Sequence, residues 1–268
     1  MHKWLNLNIT EEETIVYKNL IKRIKRWISK KVKDAKCNGV VLGVSGGIDS
    51  ATLAIILKDI FGNKSYFYYL KTFEDNENIE HINKLNSIIK NIKIIDLSKE
   101  FNSFASKLNL KEDIIKANAK SRFFMNYLYA QAQINNSLVI GTDNFNEYYL
   151  GYFTKYGDGG CDLLPFANLL KSDIYKIAKI IGVPKEIINK KPSANLLSNK
   201  SDEEELGFSY EEFENYLNNS NSVSKIVKQK ILNLNLKTMH KRSLIPRGPK
   251  KQPNKNLNDK KTKVLSFV

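Results

Sequence analysis

Six residues, Ser45-Gly46-Gly47-Ile48-Asp49-Ser50, join an apolar run, Val40 to Val44, to the helix-like stretch Ala51 to Phe61. Two glycines, two hydroxyls and several backbone N–H groups at the head of a helix make a cradle for an anion. The chemistry of this cradle is bounded by what it lacks. A Walker A loop needs a lysine within GxxxxGK[ST] to reach the outer phosphates, and the loop contains none. Nor is its glycine spacing the GxGxxG of a dinucleotide-binding turn. Asp49 would repel a phosphate unless a cation stood between them. Mg2+ shared by a carboxylate and a pyrophosphate resolves that conflict. At this level a tight glycine turn with a helix-capping serine is the plain alternative.

Apolar spacing supplies the elements that would hold such a turn. From Glu12 to Val32, Val16, Leu20, Ile24, Trp27 and Ile28 recur at helical intervals with lysines and arginines between them, an amphipathic helix for the core or for a subunit interface. Val40 to Val44, Ser65 to Leu70, Ile92 to Leu97 and Leu138 to Ile140 read as strands. Helices are expected over Ala51 to Phe61, Glu77 to Lys90, Asn118 to Asn135 and Asp173 to Ile181, the last stopped by Gly182 and Pro184. This alternation predicts an α/β fold, a doubly wound parallel sheet with helices on both faces. The two turns richest in Gly, Ser, Thr and Asp both follow strands, where open α/β sheets bind ligands. Gly151 to Lys171 is loop-like, and a loop of that length is usually functional.

The segment SGGIDS resembles the PP-loop of the N-type ATP pyrophosphatases, which cleave ATP between the α and β phosphates, and the fold expected is that of the adenine nucleotide alpha-hydrolase-like group. Further segments narrow the resemblance. Asn118-Ala119-Lys120-Ser121-Arg122 is similar to the NxKAR helix of ammonia-dependent NAD+ synthetases. Gly141-Thr142-Asp143 with Glu147 resembles their GTD…E segment, and Gly151 to Asp162, GYFTKYGDGGCD, resembles their GFFTKYGDGGxD loop. Pro192-Ser193-Ala194 resembles PTA, Asp202-Glu203 with Leu206-Gly207 resembles DE…LG, and His240-Lys241-Arg242 resembles the closing HKR. Order and spacing agree from about residue 12 to residue 242.

The resemblance implies amidation of deamido-NAD+ with ammonia through an acyl adenylate, giving NAD+, AMP and diphosphate. It implies ATP contacts from Gly43, Val44, Ser45, Gly46, Gly47, Ile48, Asp49 and Ser50, with Thr142, Lys171 and Ser193. Mg2+ would be held by Asp49 and Glu147. Arg122, Lys155, Asp162, His240 and Lys241 map to positions that bind deamido-NAD+. Asp49, Lys171 and Asp158 are expected to carry the chemistry, Lys171 as a cationic clamp on the α-phosphate region. Thr154, Lys155 and Asp158 would close over the reacting carboxylate, and Asp158 or Asp162 would take a proton from ammonia. The family is typically a homodimer with substrate bound across the interface. This chain departs from the pattern at Phe124, where a second arginine is usual, and at Asn195, where an aspartate is usual. It departs again at Tyr69-Leu70-Lys71, in place of an Arg-Leu-Pro type segment.

Composition sets the remaining expectations. At 268 residues, with 42% hydrophobic and 26% charged, the chain can bury a full core. We expect one domain over residues 1–245 and a basic, disordered tail over 246–268. The net charge of +15 is concentrated in two places. Lys18 to Lys36 carries nine Lys or Arg against Asp34, and Lys237 to Val268 carries ten against Asp259. The second segment does not interleave aromatics with basic residues in the manner of a nucleic-acid surface, and both charge runs read as solvated faces. No apolar run approaches the roughly 18 to 20 residues that span a bilayer, and no signal-like segment opens the chain, so a cytoplasmic enzyme is expected. Cys37 and Cys161 form no CxxC pair. Neither sits where an amidase nucleophile would, and 268 residues leave no room for an amidase domain, so free ammonia is the expected nitrogen source. Another PP-loop synthetase, for example one acting on tRNA, and a non-catalytic nucleotide-binding or nucleic-acid-binding paralogue are the competing readings.

Overall fold

Thr10 accepts the Glu13 N–H at 3.1 Å and Glu13 accepts the Thr10 N–H at 3.1 Å, a capping box that starts helix α1 (Glu11–Asp34). The computed structural model describes residues 8–73, 75–191 and 201–249. After α1 come β1 (Gly39–Gly43), α2 (Ile48–Phe61), β2 (Ser65–Lys71), α3 (Asn76–Ile89) and β3 (Ile92–Asp96). Next are α4 (Ser98–Lys107), α5 (Asp113–Ile134), β4 (Ser137–Ile140), α6 (Phe145–Leu150) and α7 (Lys171–Ile181). The chain continues through α8 (Lys185–Asn189), α9 (Asp202–Leu206), α10 (Tyr210–Asn218), α11 (Lys225–Lys237) and α12 (Met239–Arg242).

The four strands form one parallel sheet in the order β3-β2-β1-β4, with Val41 opposite Tyr66 on one side and Val139 on the other. Strand side chains alternate between two cores, as the period-2 pleat requires. Val40 and Leu42, Phe67 and Tyr69, and Ile140 face the core made by α1, α2 and α7. Val41, Tyr68, Leu70 and Val139 face Met125, Leu128 and Ala132 of α5 on the other side. Both faces are covered, so β1 is apolar throughout rather than alternating. The expected doubly wound sheet is what the chain forms.

The long loop from Gly151 to Leu170 also matches the expectation of irregular structure, but it is pinned rather than loose. Gly141 N–H donates to Leu163 O at 2.9 Å and Asp162 N–H donates to Val139 O at 2.9 Å, which lays the loop along β4. A Cβ at Gly141 would fall 2.3 Å from Cys161 Sγ, so only glycine allows the approach.

Two expectations are corrected. The buried stripe of α1 is Ile21, Ile24, Ile28 and Val32, whereas Val16 is 61% and Trp27 40% exposed. Trp27 is one residue, about 100°, away from Ile28, and Val16 is likewise one residue away from Tyr17, whose hydroxyl donates to Asp173 of α7. Helix α4 forms where no element was expected, because only Phe101 of its ten residues is buried and its apolar spacing is sparse.

Ile28 is fully buried at the seam where α1 packs on α2 and α7. Ile28→Ala is expected to lower unfolding free energy by about 2–5 kcal/mol, read from the urea midpoint with an unchanged slope.

Candidate active site

The Ser45–Ser50 turn is preformed. Gly46 takes φ +81°, and a Cβ there would meet Asn78 Oδ1 at 2.9 Å, so the bend needs glycine both for conformation and for space. Ser50 Oγ accepts the Ser45 N–H at 3.1 Å and donates to Gly47 O at 3.1 Å, which ties the start of the loop to its end. Gly47 is the N-cap of α2 and lacks a side chain to satisfy the first helical N–H groups. Those groups and the helix dipole are thus left facing the turn. Asp49 lies in the same first turn.

Two other elements aim at Asp49. Asn144 starts α6 with a capping box: it accepts the Glu147 N–H at 3.1 Å, and Glu147 accepts the Asn144 N–H at 3.2 Å. Asn144 Nδ2 also donates to Asp49 Oδ1 at 3.0 Å, so one buried amide orients both carboxylates. At the head of α7, Lys171 Nζ lies 2.5 Å from Asp49 Oδ2 and 3.2 Å from Glu147 Oε1. The Tyr210 ring sits beneath that ammonium, 5.5 Å to its centroid, and Tyr210 OH donates to Asp202 at 3.1 Å. Lys171 is 2% exposed. Burial opposes its charge, but Asp49, Glu147 and Asp202 together hold its proton affinity well above the usual lysine range. Burial pushes the Glu147 carboxyl up to about 7, with Lys171 opposing and Asp49 adding to the rise.

The opposite wall comes from α5 and the long loop. Ser121 Oγ donates to Asp158 Oδ1 at 2.5 Å and accepts the Asp158 N–H at 2.9 Å. Thr154 N–H also donates to Asp158, and Thr154 Oγ1 donates to Asn118 Oδ1 at 2.8 Å. Burial raises the Asp158 carboxyl against those hydrogen bonds. Between these walls lies a cavity of about 290 Å³. Gly43, Val44, Ser45, Gly47, Ile48, Asp49, Ser50, Thr142, Glu147, Asp158 and Lys171 all line it, while Gly46 forms the bend behind it. Tyr68, Leu70, Met125 and Leu128 give it an apolar end, and Phe124, at the position of the usual second arginine, extends that end.

Arg122, Lys155, His240 and Lys241 form a separate group outside the cavity. Arg122 Nε donates to Lys155 O at 3.1 Å, and Lys155 Nζ donates to His240 O at 2.7 Å. Lys241 Nζ donates to Gly151 O at 2.7 Å and Phe153 O at 2.6 Å, docking α12 on the long loop. Asp162 belongs to neither group: its carboxylate accepts Val139 N–H at 2.7 Å and Tyr129 OH at 3.1 Å. Ser193 and Asn195 lie outside the described residues. Among the described residues no cluster of three or more His, Cys, Asp or Glu stands ready for a metal. The convergence of Asp49 and Glu147 on one cation is nonetheless a donor pair that suits Mg2+ completed by phosphate oxygens.

Comparison with known proteins decides the family. The profile of NAD synthase matches residues 20–245. The chain belongs to the NAD synthase family. It is 42% identical over 248 residues to an NH(3)-dependent NAD(+) synthetase of Mycoplasmopsis pulmonis, covering 87% of this chain and 94% of the relative. Among solved structures, an NMN synthetase from Francisella tularensis superposes with a TM-score of 0.81 at 34% identity, covering 87% of this chain and 98% of that one. An NH3-dependent NAD synthetase from Campylobacter jejuni, in complex with the nitrate ion, gives 0.75 at 27% identity, covering 87% and 99%.

Against that family background, the sequence reading gave several cavity residues no role, although Lys120, Asp143 and Asp202 lie within the segments it quoted. Asn144 is one; only its position three residues before Glu147, the capping-box spacing, could have marked it. Asp143 is fully buried, its carboxyl driven up by burial beside Asp158, Glu147 and Asp49, and among the described residues its Oδ2 has no hydrogen-bond partner. Asp202 is 5% exposed and bonds Tyr210 and Tyr152. Lys120 lines the cavity at 2% exposure with Nζ 4.6 Å from the centre of the Phe73 ring. Cys161, by contrast, is an inert thiol, pushed up to about 12 by burial next to Asp143 and Asp162.

Burial lowers the Lys120 ammonium to about 8, with Asp75 only partly offsetting it. Its folded value is therefore below the unfolded 10.5, so the stability linked to this group is present above pH 10.5 and is lost as pH falls through about 8. Lys120→Met, which removes the buried charge, is expected to melt above the parent at pH 7. The gap should narrow as pH rises from 8 to 10.5 in a thermal-melt series.

Proposed function

We propose that the chain joins ammonia to the nicotinate carboxylate of deamido-NAD+ at the expense of ATP, releasing NAD+, AMP and diphosphate. The observation that carries this reading is the convergence of the phosphate cradle, Asp49, Glu147 and Lys171 on one cavity at the carboxyl ends of β1 and β4. Membership of the family supports it.

A carboxylate cannot be displaced directly, because its leaving group would be oxide. Its oxygen attacks the α-phosphorus of ATP, the bond to the β-phosphate breaks, and diphosphate leaves into the N–H groups at the head of α2. Lys171 is the cation closest to that transfer and offsets the charge that builds on it. Mg2+, held by Asp49 and Glu147, would supply further neutralisation between phosphate oxygens. Ammonia then attacks the acyl carbon, AMP leaves, and one proton is released from nitrogen. Asp158 is the group proposed to receive it, since burial raises its proton affinity and Ser121 fixes its position. The apolar end formed by Leu70, Phe124 and Met125 suits the adenine ring. Arg122, Lys155, His240 and Lys241 would take the substrate's diphosphate where they cluster against the long loop.

The finer parts of the reading are a single domain ending near residue 245, followed by a basic tail, and a cytoplasmic location without nucleic-acid binding. Among the described residues no helix is long and apolar enough to cross a membrane. We also propose a homodimer. Exposed Phe104, Leu108, Ile114 and Ile115, on and between α4 and α5, support that interface, as do Ile15, Val16 and Trp27 on the outer face of α1.

Purified protein with ATP, Mg2+, ammonium chloride and deamido-NAD+ is expected to release NAD+, AMP and diphosphate in equal amounts. Nicotinate mononucleotide in a parallel reaction tests the substrate, because the Francisella neighbour is named for the mononucleotide product. Faster turnover of the mononucleotide would move the substrate assignment there. ATP cleavage with neither acceptor would overturn it. Lys171→Met is expected to lower kcat by about 10²–10³-fold, measured as AMP release.

A further inference from the structure

The phosphate loop has a carboxylate and no lysine, and Lys171 is committed to Asp49 and Glu147. The β- and γ-phosphates of ATP, and the diphosphate they become, therefore need a cation from elsewhere in the fold. Gly46 marks where one arrives. A Cβ on Gly46 would touch Asn78 Oδ1, and that same oxygen accepts a hydrogen bond from Lys190 Nζ. The ammonium and the outer bend of the loop thus share one neighbouring atom.

Asn78 is fixed at that spot. It is 2% exposed, its N–H donates to Asp75 Oδ1 at 3.1 Å, and its Nδ2 donates to Asp75 Oδ2 at 2.5 Å. With the amide nitrogen engaged, its oxygen is left to receive Lys190. Lys190 follows α8, and α8 is held without it: Ile187 and Ile188 are buried and Glu186 pairs with Lys84 at 3.0 Å. Lys190 lines the same cavity as Ser45, Gly47 and Asp49. Among the described residues its ammonium donates to a neutral oxygen, that of Asn78, whereas an ammonium has three protons to give. Burial disfavours its charge, with Glu77 and Asp75 opposing, so an anion in the cavity would find a partly dehydrated cation.

We propose that Lys190 is the phosphate lysine of this site, carried at the end of α8 instead of in the loop and aimed by Asn78 at the β- and γ-phosphoryl oxygens. The inference rests on the ATP-cleaving reading above and names the residue that recognises the leaving diphosphate.

The test is calorimetric titration of the full chain with inorganic pyrophosphate and, separately, with AMP, both in magnesium chloride, for wild type, Lys190→Ala, Lys190→Gln and Lys190→Arg. Loss of one charge-assisted hydrogen bond should weaken pyrophosphate roughly 10–100-fold in the alanine and glutamine variants. AMP, which lacks the outer phosphates, should bind within twofold of wild type, and arginine should restore most of the pyrophosphate affinity. In steady state the KM for ATP should rise with the KM for deamido-NAD+ unchanged. Unchanged pyrophosphate affinity in the alanine and glutamine variants would overturn the assignment, as would parallel loss of AMP and pyrophosphate. A wild-type protein that binds pyrophosphate but forms no NAD+ would instead overturn the substrate reading and leave Lys190 where it is.

Discussion

The ammonium of Lys171, buried between Asp49 and Glu147, is the interaction on which the site depends. It gathers the first turns of three helices, α2, α6 and α7, at one point above the sheet. Each contributes one charge and none could be buried alone. An isolated ion taken from water to such a place costs several kcal/mol, and only close partners and further hydrogen bonds offset it. The surrounding groups supply these: Asn144 on Asp49, the capping box on Glu147, and the Tyr210 ring with Asp202 behind Lys171. Such a cluster is weak as a source of stability and strong as a constraint on geometry. It fixes where the helix ends must stand relative to the phosphate loop.

The loop from Gly151 to Leu170 extends that constraint to the far side of the cavity. It has no helix or strand of its own, yet its backbone is tied to β4 through Val139 and Gly141 and to α5 through Ser121 and Asn118. From outside, Lys241 caps two of its carbonyls and Arg242 reaches Tyr148 O at 3.2 Å and Asn235 O at 2.6 Å. The short closing helix α12 therefore acts on the loop that carries Asp158, not on the cavity directly. This explains how basic residues with exposed surroundings can matter to a buried reaction centre.

Much of this was legible before any coordinates. Val40 to Val44 and Ser65 to Leu70 are apolar on both faces, which only a covered parallel strand requires, and SGGIDS follows the first of them. Asp49 and Glu147 were marked by motifs and Lys171 by the family resemblance alone, and nothing in either says that they touch. Such contact is made by tertiary packing between residues 24 and 122 positions apart. Lys120 and Lys190 were hidden for another reason. A lysine reads as solvated in any sequence window, and its burial is decided by what α5 and α8 pack against. Helix α4 and the short helices α6, α8, α9 and α12 escaped because a few residues with two buried side chains at most carry no periodic signal.

The charge of the chain and the charge of its site run opposite ways, and the second is the one that matters for chemistry. In sequence the excess of lysine and arginine lies from Lys18 to Lys36 and from Lys237 onward, and on α1 these residues stand on the exposed face, where charge is screened within about 10 Å. Inside, Asp49, Asp143, Glu147 and Asp202 act on Lys171 while Asp158 stands on the facing wall, and burial raises Asp143, Glu147, Asp158 and Asp202 together. Acids so crowded hold protons that an open carboxylate would lose, which is how the fold tolerates them without a second buried cation beside each. A polyanion such as ATP entering this space meets repulsion from every carboxylate that stays ionised. Its recognition must then come from backbone N–H groups, from lysines delivered by neighbouring helices, and from whatever cation the nucleotide brings with it. The overall charge of +15 contributes to none of these.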